Sequence, residues 1–131
     1  MNNTINKLWP EPKNKLTNII QIRHRYFGNL YLRQGTCDRN IANEVLRVYA
    51  ALRFPSSRIL DIGAHIGMFS LFAAMEGAKE ILAYEPDPSS FALFLLNTKN
   101  YPCIRGVNSA LTLSQNSQIQ LFVGKQDSCR N

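Results

Sequence analysis

Cysteine is scarce in this chain and unpatterned. The 131 residues hold three, Cys37, Cys103 and Cys129, far apart and without C-x-x-C spacing. That argues against a paired-cysteine metal site or a disulfide framework, and predicts reduced thiols in a cytoplasmic chain. Long apolar runs are missing too, and none reaches the roughly 18 residues of a membrane span. The opening M-N-N-T-I-N-K-L-W-P lacks the apolar core of a secretory signal. There is no internal repeat, no low-complexity tract, no H-E-x-x-H and no G-x-S-x-G. The motifs therefore name no catalytic base and no metal site.

Acidic charge is sparse in the first part of the chain. Residues 1–55 carry nine Lys/Arg against three Asp/Glu, whereas residues 56–131 carry six of each. The net charge of +6 is therefore a basic front on a neutral body. Such a front either steers an anionic substrate, such as a sugar nucleotide, a lipopolysaccharide or RNA, or is simply a solvated face. The hydrophobic content of 45% supports a packed core, and 131 residues allow one domain at most.

Arg58 to Pro88 is the most ordered stretch: R-I-L-D-I-G-A-H-I-G-M-F-S-L-F-A-A-M-E-G-A-K-E-I-L-A-Y-E-P-D-P. Ile59, Leu60 and Ile62 form a short apolar run, which predicts a strand covered on both faces. Gly63 and Gly67 bracket a tight turn open to close approach. Met68 to Met75 is apolar nearly all round, so it reads as a helix buried against a sheet, with Gly77 past its C-terminus. Ile81 to Ala83 makes a second buried strand, ending in Tyr84-Glu85-Pro86. Together these form a parallel βαβ unit with a right-handed crossover.

Ligands of such sheets bind at the carboxyl ends of the strands. Asp61 and Glu85 fall at those two ends. A carboxylate at the second tip can accept from both hydroxyls of a ribose, at roughly 1.5–3 kcal/mol for each charge-assisted bond. The dinucleotide pattern G-x-G-x-x-G, laid on Gly63, would need glycines at His65 and Met68, and the P-loop Gly-Lys-Ser/Thr is absent. An acid two residues before the first glycine repels a pyrophosphate. It suits a cation bearing an amino group and a sulfonium, as S-adenosylmethionine (SAM) does.

D-I-G-A-H-I-G resembles motif I of class I SAM-dependent methyltransferases. The wider pattern resembles the FkbM-type branch through D-I-G-A-H-I-G-M-F-S-L, then A-Y-E-P-D-P-S-S-F-A-L-F-L-L-N, preceded by G-T-C-D-R-N-I-A-N-E-V-L. It covers about Gly35 to Gly124, and His65 stands where the family more often has Asn. The resemblance implies an α/β, Rossmann-like fold with SAM as cofactor. It points to Asp61, Gly63, Ala64, Gly67 and Glu85 as binding residues, with Asn108 near the adenine. It also implies transfer to a hydroxyl of a sugar, a glycolipid or a secondary metabolite. Asp38 and Glu44 precede motif I. Asp38 reads either as a helix cap or as an acid facing the cofactor's ammonium, and Glu44 either as a surface ion-pair partner or in that same second role.

The remaining chain divides simply. Residues 1–34 read as a lead-in, broken at Pro10 and Pro12 with Trp9 as a pin, followed by a β-hairpin. In that hairpin Ile20, Ile22, His24 and Tyr26 share a face, Gly28-Asn29 forms the turn, and Leu30 to Arg33 returns. His24 reads as an exposed strand position or, less simply, as a catalytic base. Residues 35–124 read as the cofactor-binding domain. Its first helix runs from Arg39 to Phe54 with a stripe of Ile41, Val45, Val48 and Leu52, capped at Thr36 to Asp38 and ended by Pro55. Asp87 and Pro88 read as N-cap and first residue of a helix with a core stripe of Phe91, Leu93, Phe94, Leu95 and Leu96. A third parallel strand follows at Ile104 to Val107, then a hairpin of Leu111–Leu113 with Ile119–Val123, and a polar tail at 125–131.

In the family resembled, a fourth strand lies beside the first. No counterpart follows here, so the fold is expected to be incomplete, with Ile59–Ile62 as an open edge. Such an edge invites a partner chain or self-association. Three readings stay open: a SAM-dependent methyltransferase acting on a small-molecule or glycan acceptor; an inactive remnant or interaction module that keeps the cofactor half; and, more weakly, RNA binding through the basic front.

Overall fold

A computed structural model describes residues 18–113 and Leu121. The element order is β1 (Ile19–His24), β2 (Gly28–Arg33), α1 (Asp38–Tyr49), β3 (Arg58–Ile62), α2 (Met68–Met75), β4 (Glu80–Tyr84), α3 (Pro88–Thr98) and β5 (Ile104–Val107). The lead-in with Trp9, the tail, and most of the expected 119–123 strand lie outside the described residues. Leu111–Leu113 carries no strand.

The parallel sheet has the order β3-β4-β5, with Asp61 beside Ala83 and Ala83 beside Gly106. Side chains alternate between faces, so Asp61, Ile81 and Ala83 share one face and are buried there. Ile81 packs with Ala73 of α2, and Ala83 packs with Phe94 of α3. Both helices therefore lie on the same face, as two crossovers of one hand running the same way across a sheet require. Gly106 is dictated by this layer. A Cβ there would stand 2.5 Å from Phe94 Cε1 and 2.8 Å from Phe91 Cε2.

The other face corrects the expectation that β3 is covered on both sides. Leu60 and Ile62 are 53% and 61% exposed. No described helix crosses to that side, because both crossovers turn the same way. β3 pairs only with β4, so the expected open edge is present among the described residues.

The β1–β2 hairpin packs its apolar side chains into the main core. Phe27, Leu30 and Leu32 join Ala42 and Val45 of α1, Met68, Leu71 and Phe72 of α2, and Leu93 of α3. The hairpin turn is Arg25–Phe27, not Gly28-Asn29, because His24 pairs with Gly28. The ring of His24 explains this. Its Nδ1 accepts from the Tyr26 and Phe27 amides at 3.2 Å each, closing a three-residue loop that Gly28 leaves at φ +76°.

The first helix stops at Tyr49 rather than Phe54. Its inner side carries Ala42 and Val45, while Val48 and Leu52 are 56% and 45% exposed. Of the predicted stripe, Ile41 and Val45 do pack on the core, and Ala42 joins them, while the stripe's later residues turn outward. On α3, Leu93 and Phe94 are buried, while Leu95 and Leu96 face outward. Asp87 caps α3 as expected, accepting from the Ser90 amide at 2.9 Å. Among the described residues Cys37 is disulfide-bonded and Cys103 is free, so the reduced-thiol reading fails at Cys37 and holds at Cys103. Folded proximity, not spacing along the chain, decides such pairing.

Candidate functional site: the carboxyl end of the parallel sheet

β3 ends at Ile62 and the chain turns through Gly63 (φ +81°) and Gly67 (φ +90°), conformations that favour glycine. The amides of Gly63 and Ala64 both donate to the Tyr84 carbonyl at 2.9 Å, binding the turn to the end of β4. The Gly67 amide closes it by donating to the Ala64 carbonyl at 2.8 Å. Gly67 is also held small: an added Cβ would lie 3.0 Å from Phe94 Cδ2 and from Thr98 Cγ2. Between the glycines, His65 adopts φ +52°, an uncommon value for a residue with a Cβ.

Glu85 follows β4 and is buried. Its Oε2 accepts from the His65 amide at 2.8 Å and its Oε1 from the Asp87 amide at 2.7 Å. Each carboxylate oxygen has a second lone pair, so capacity for two more donors remains. Asp61 lies on the α2 side, with Oδ2 accepting from Ser70 Oγ at 2.6 Å. Burial raises its pKa, the Ser70 bond opposes this, and the negative charge of Glu85 raises it further. The structure thus brings Asp61, Gly63, Ala64, Gly67 and Glu85 together at one end of the sheet. Two mutually repelling carboxylates are stabilised by a cation placed near both.

Asn108, just past β5, uses its Nδ2 on the Glu85 carbonyl at 2.7 Å and the Pro86 carbonyl at 3.3 Å. It therefore braces the loop after β4. Asp38 is neither the side-chain cap nor free to face a ligand. It is almost wholly buried, and its carboxylate takes the Arg33 amide (2.8 Å), Nε (3.0 Å) and Nη2 (2.9 Å). Burial opposes its ionisation, but the Arg33 bonds dominate and hold its pKa below the usual range. Thr36 Oγ1 is the group that accepts from the Asp38 amide. Glu44 is exposed on α1. His24 serves the hairpin turn described above.

Two residues central to this region carried no signal of their own in the sequence. Arg33, at the end of β2, reaches Asp38, His65 Nε2 (2.9 Å) and Ser89 Oγ (3.1 Å). Asn97 of α3 accepts from the Tyr31 amide at 2.8 Å and donates to the Tyr31 and Ile66 carbonyls at 3.1 and 2.9 Å. Among the described residues no group of three His, Cys, Asp or Glu could hold a metal ion, and no helix is long and apolar enough to cross a membrane.

No protein-family model and no curated protein matches the chain. Solved structures do resemble it. TYW2 of Pyrococcus horikoshii, solved with MeSAdo, is 18% identical with a TM-score of 0.53, over 71% of this chain and 36% of its own. Trm5b of Pyrococcus abyssi is 22% identical with a TM-score of 0.52, over 70% and 29%. The yhhF protein of Escherichia coli, described as a methyltransferase, is 23% identical with a TM-score of 0.51, over 70% and 53%. The chain thus spans between about a third and a half of the length of these proteins. Its fold, three parallel strands with helices against one face, is α/β and Rossmann-like, and is shared with part of each of these proteins.

Proposed function

We propose that this chain is the cofactor-binding part of a SAM-dependent methyltransferase of the FkbM type, acting on a hydroxyl of a sugar, a glycolipid or a secondary metabolite. The observation that carries the reading is the meeting of the left-handed glycine turn with Glu85, whose two oxygens each keep a lone pair after binding the His65 and Asp87 amides. Glu85 would hold the ribose hydroxyls, and the turn's small residues Gly63, Ala64 and Gly67 would let the ligand approach the backbone. Asp61 would supply negative charge toward the ammonium and sulfonium. Asn108 would keep the loop after β4 in place beneath the adenine. SAM, when bound, supplies a methyl group already activated on a cationic sulfur. The protein's task is then alignment of the acceptor, with a base helping to remove the hydroxyl proton.

Calorimetry of the full chain with SAM and with NAD tests this. Heat with SAM that is lost in Glu85→Ala and reduced in Asp61→Ala supports the reading. Heat with NAD instead would replace it with a dehydrogenase reading, and a steeply salt-dependent affinity for RNA would favour the basic front as the working surface. A second reading, a module that keeps the cofactor half and acts through a partner chain, rests on the exposed Leu60–Ile62 face and the single-sided pairing of β3. It predicts no heat with either cofactor.

A further inference from the structure

His65 sits in the turn with a backbone angle that a side chain disfavours, and its Nδ1 is buried without a hydrogen-bond partner among the described residues. Its other nitrogen, Nε2, lies 2.9 Å from Arg33 Nη2. A guanidinium only donates, so Nε2 must carry a lone pair there. Arg33 is itself rigidly held. Asp38 takes its Nε and Nη2 in a two-point grip, and Ser89 Oγ takes Nη1, while that hydroxyl donates onward to Asp87. One guanidinium thus joins β2, the start of α1, the glycine turn and the start of α3.

We infer that Arg33 is a positioning residue for the glycine turn, acting through the imidazole of His65, which it holds as the neutral Nδ1–H tautomer. The hairpin before the parallel sheet thereby sets the shape of the proposed cofactor turn without touching the ligand. The alternative forms of the ring conflict with the geometry. An Nε2–H tautomer sets two donors against each other at 2.9 Å, and an imidazolium adds a second positive charge. Loss of the Arg33 contact frees the ring. The strained φ of His65 then loses its side-chain anchor and rests on the backbone bonds of the turn, its own amide to Glu85 among them.

The binding arm of the test rests on the proposed SAM reading, and the tautomer arm does not. Nitrogen-15 NMR of histidine-labelled full-length protein at neutral pH should show His65 protonated at Nδ1 alone. In Arg33→Gln paired with Asp38→Asn, which avoids an unpaired buried carboxylate, that signature should move toward the exchanging mixture of a free imidazole. An Nε2–H or doubly protonated ring in the wild type, or a signature unmoved in the pair, overturns the inference whatever SAM does. In the binding arm, the Arg33→Gln/Asp38→Asn pair should weaken SAM about tenfold in the wild-type background and hardly at all beside His65→Gly, where the turn no longer needs holding. Equal losses in both backgrounds would show that Arg33 acts some other way. Failure of all forms to bind SAM, with the tautomer as expected, would reject the cofactor reading and keep the clamp.

Discussion

Asn97 shows how much one side chain can organise. Its amide copies the edge of a strand, receiving and returning hydrogen bonds at Tyr31, and its second proton reaches the carbonyl of Ile66 in the glycine turn. Asn97→Ala leaves three backbone groups without partners in a site only 7% exposed. It should cost about 2–4 kcal/mol in urea denaturation, and a loss below the scatter of surface variants would refute this role. His65 makes a different prediction. Burial is the largest influence on its ring and lowers the pKa from 6.5, and Arg33 adds to this, whereas Asp38, Glu85 and Asp87 oppose it. The unfolded chain therefore binds a proton that the folded chain resists. Stability should fall as pH drops below 6.5, and His65→Asn should flatten that slope. Asp38 and Asp87, whose pKa values are lowered, lose their contribution only as pH falls below about 3.8, whereas Asp61, whose pKa is raised, weakens the fold as pH rises above 3.8 and so opposes the His65 slope. At this scale the sequence was legible where residue type limits conformation, as at Gly63, Gly67 and Asp87. It was silent on the contacts of Arg33 with His65 and of Asn97 with Tyr31, which span 32 and 66 residues along the chain.

Elements were read best where local chemistry and packing agree. Met68–Met75, Pro88–Thr98 and Ile104–Val107 have apolar content, caps and turn residues that all favour the same boundaries. The hairpin turn was misplaced because Gly28-Asn29 is a strong local signal, and the competing one came from a histidine side chain closing the loop on itself. The α1 stripe was right at Ile41 and Val45 and wrong at Val48, which turns outward, and at Leu52, which lies exposed past the helix end at Tyr49. Ala42 is fully buried and Val48 is half exposed. Val45→Ala should therefore cost about 2 kcal/mol, while Val48→Ala should stay within about 0.5 kcal/mol, both from denaturant midpoints. Similar losses at the two sites would mean that the helix is rotated from the position described.

At the scale of the whole molecule, the layering among the described residues is one-sided. α2 and α3 cover one face of the parallel sheet, and Leu60 and Ile62 stand open on the other. The unpaired edge of β3 among the described residues was foreseeable, since the strand read at Ile104–Val107 has its place beyond β4. The bare face was not, because the apolar run Ile59–Ile62 looks the same whether one side of it is covered or two. Exposed aliphatic side chains beside an unpaired edge favour association. Sedimentation of the wild-type chain should show concentration-dependent self-association. Replacing Leu60 and Ile62 with Lys together should suppress it and leave the denaturation midpoint nearly unchanged. A strictly monomeric wild type at high concentration would show that the edge is inert.

Among the described strands, β4 alone has a hydrogen-bonded neighbour along each of its sides. Its amides can reach deuterated solvent only when β3 or β5 detaches, so exchange there reports opening of the whole sheet, while outward-pointing amides of β3 report nothing beyond their own wetting. The strand that carries Glu85 at its tip is thus the slowest part of the sheet to come apart, and the acid it presents keeps its place while the borders fray.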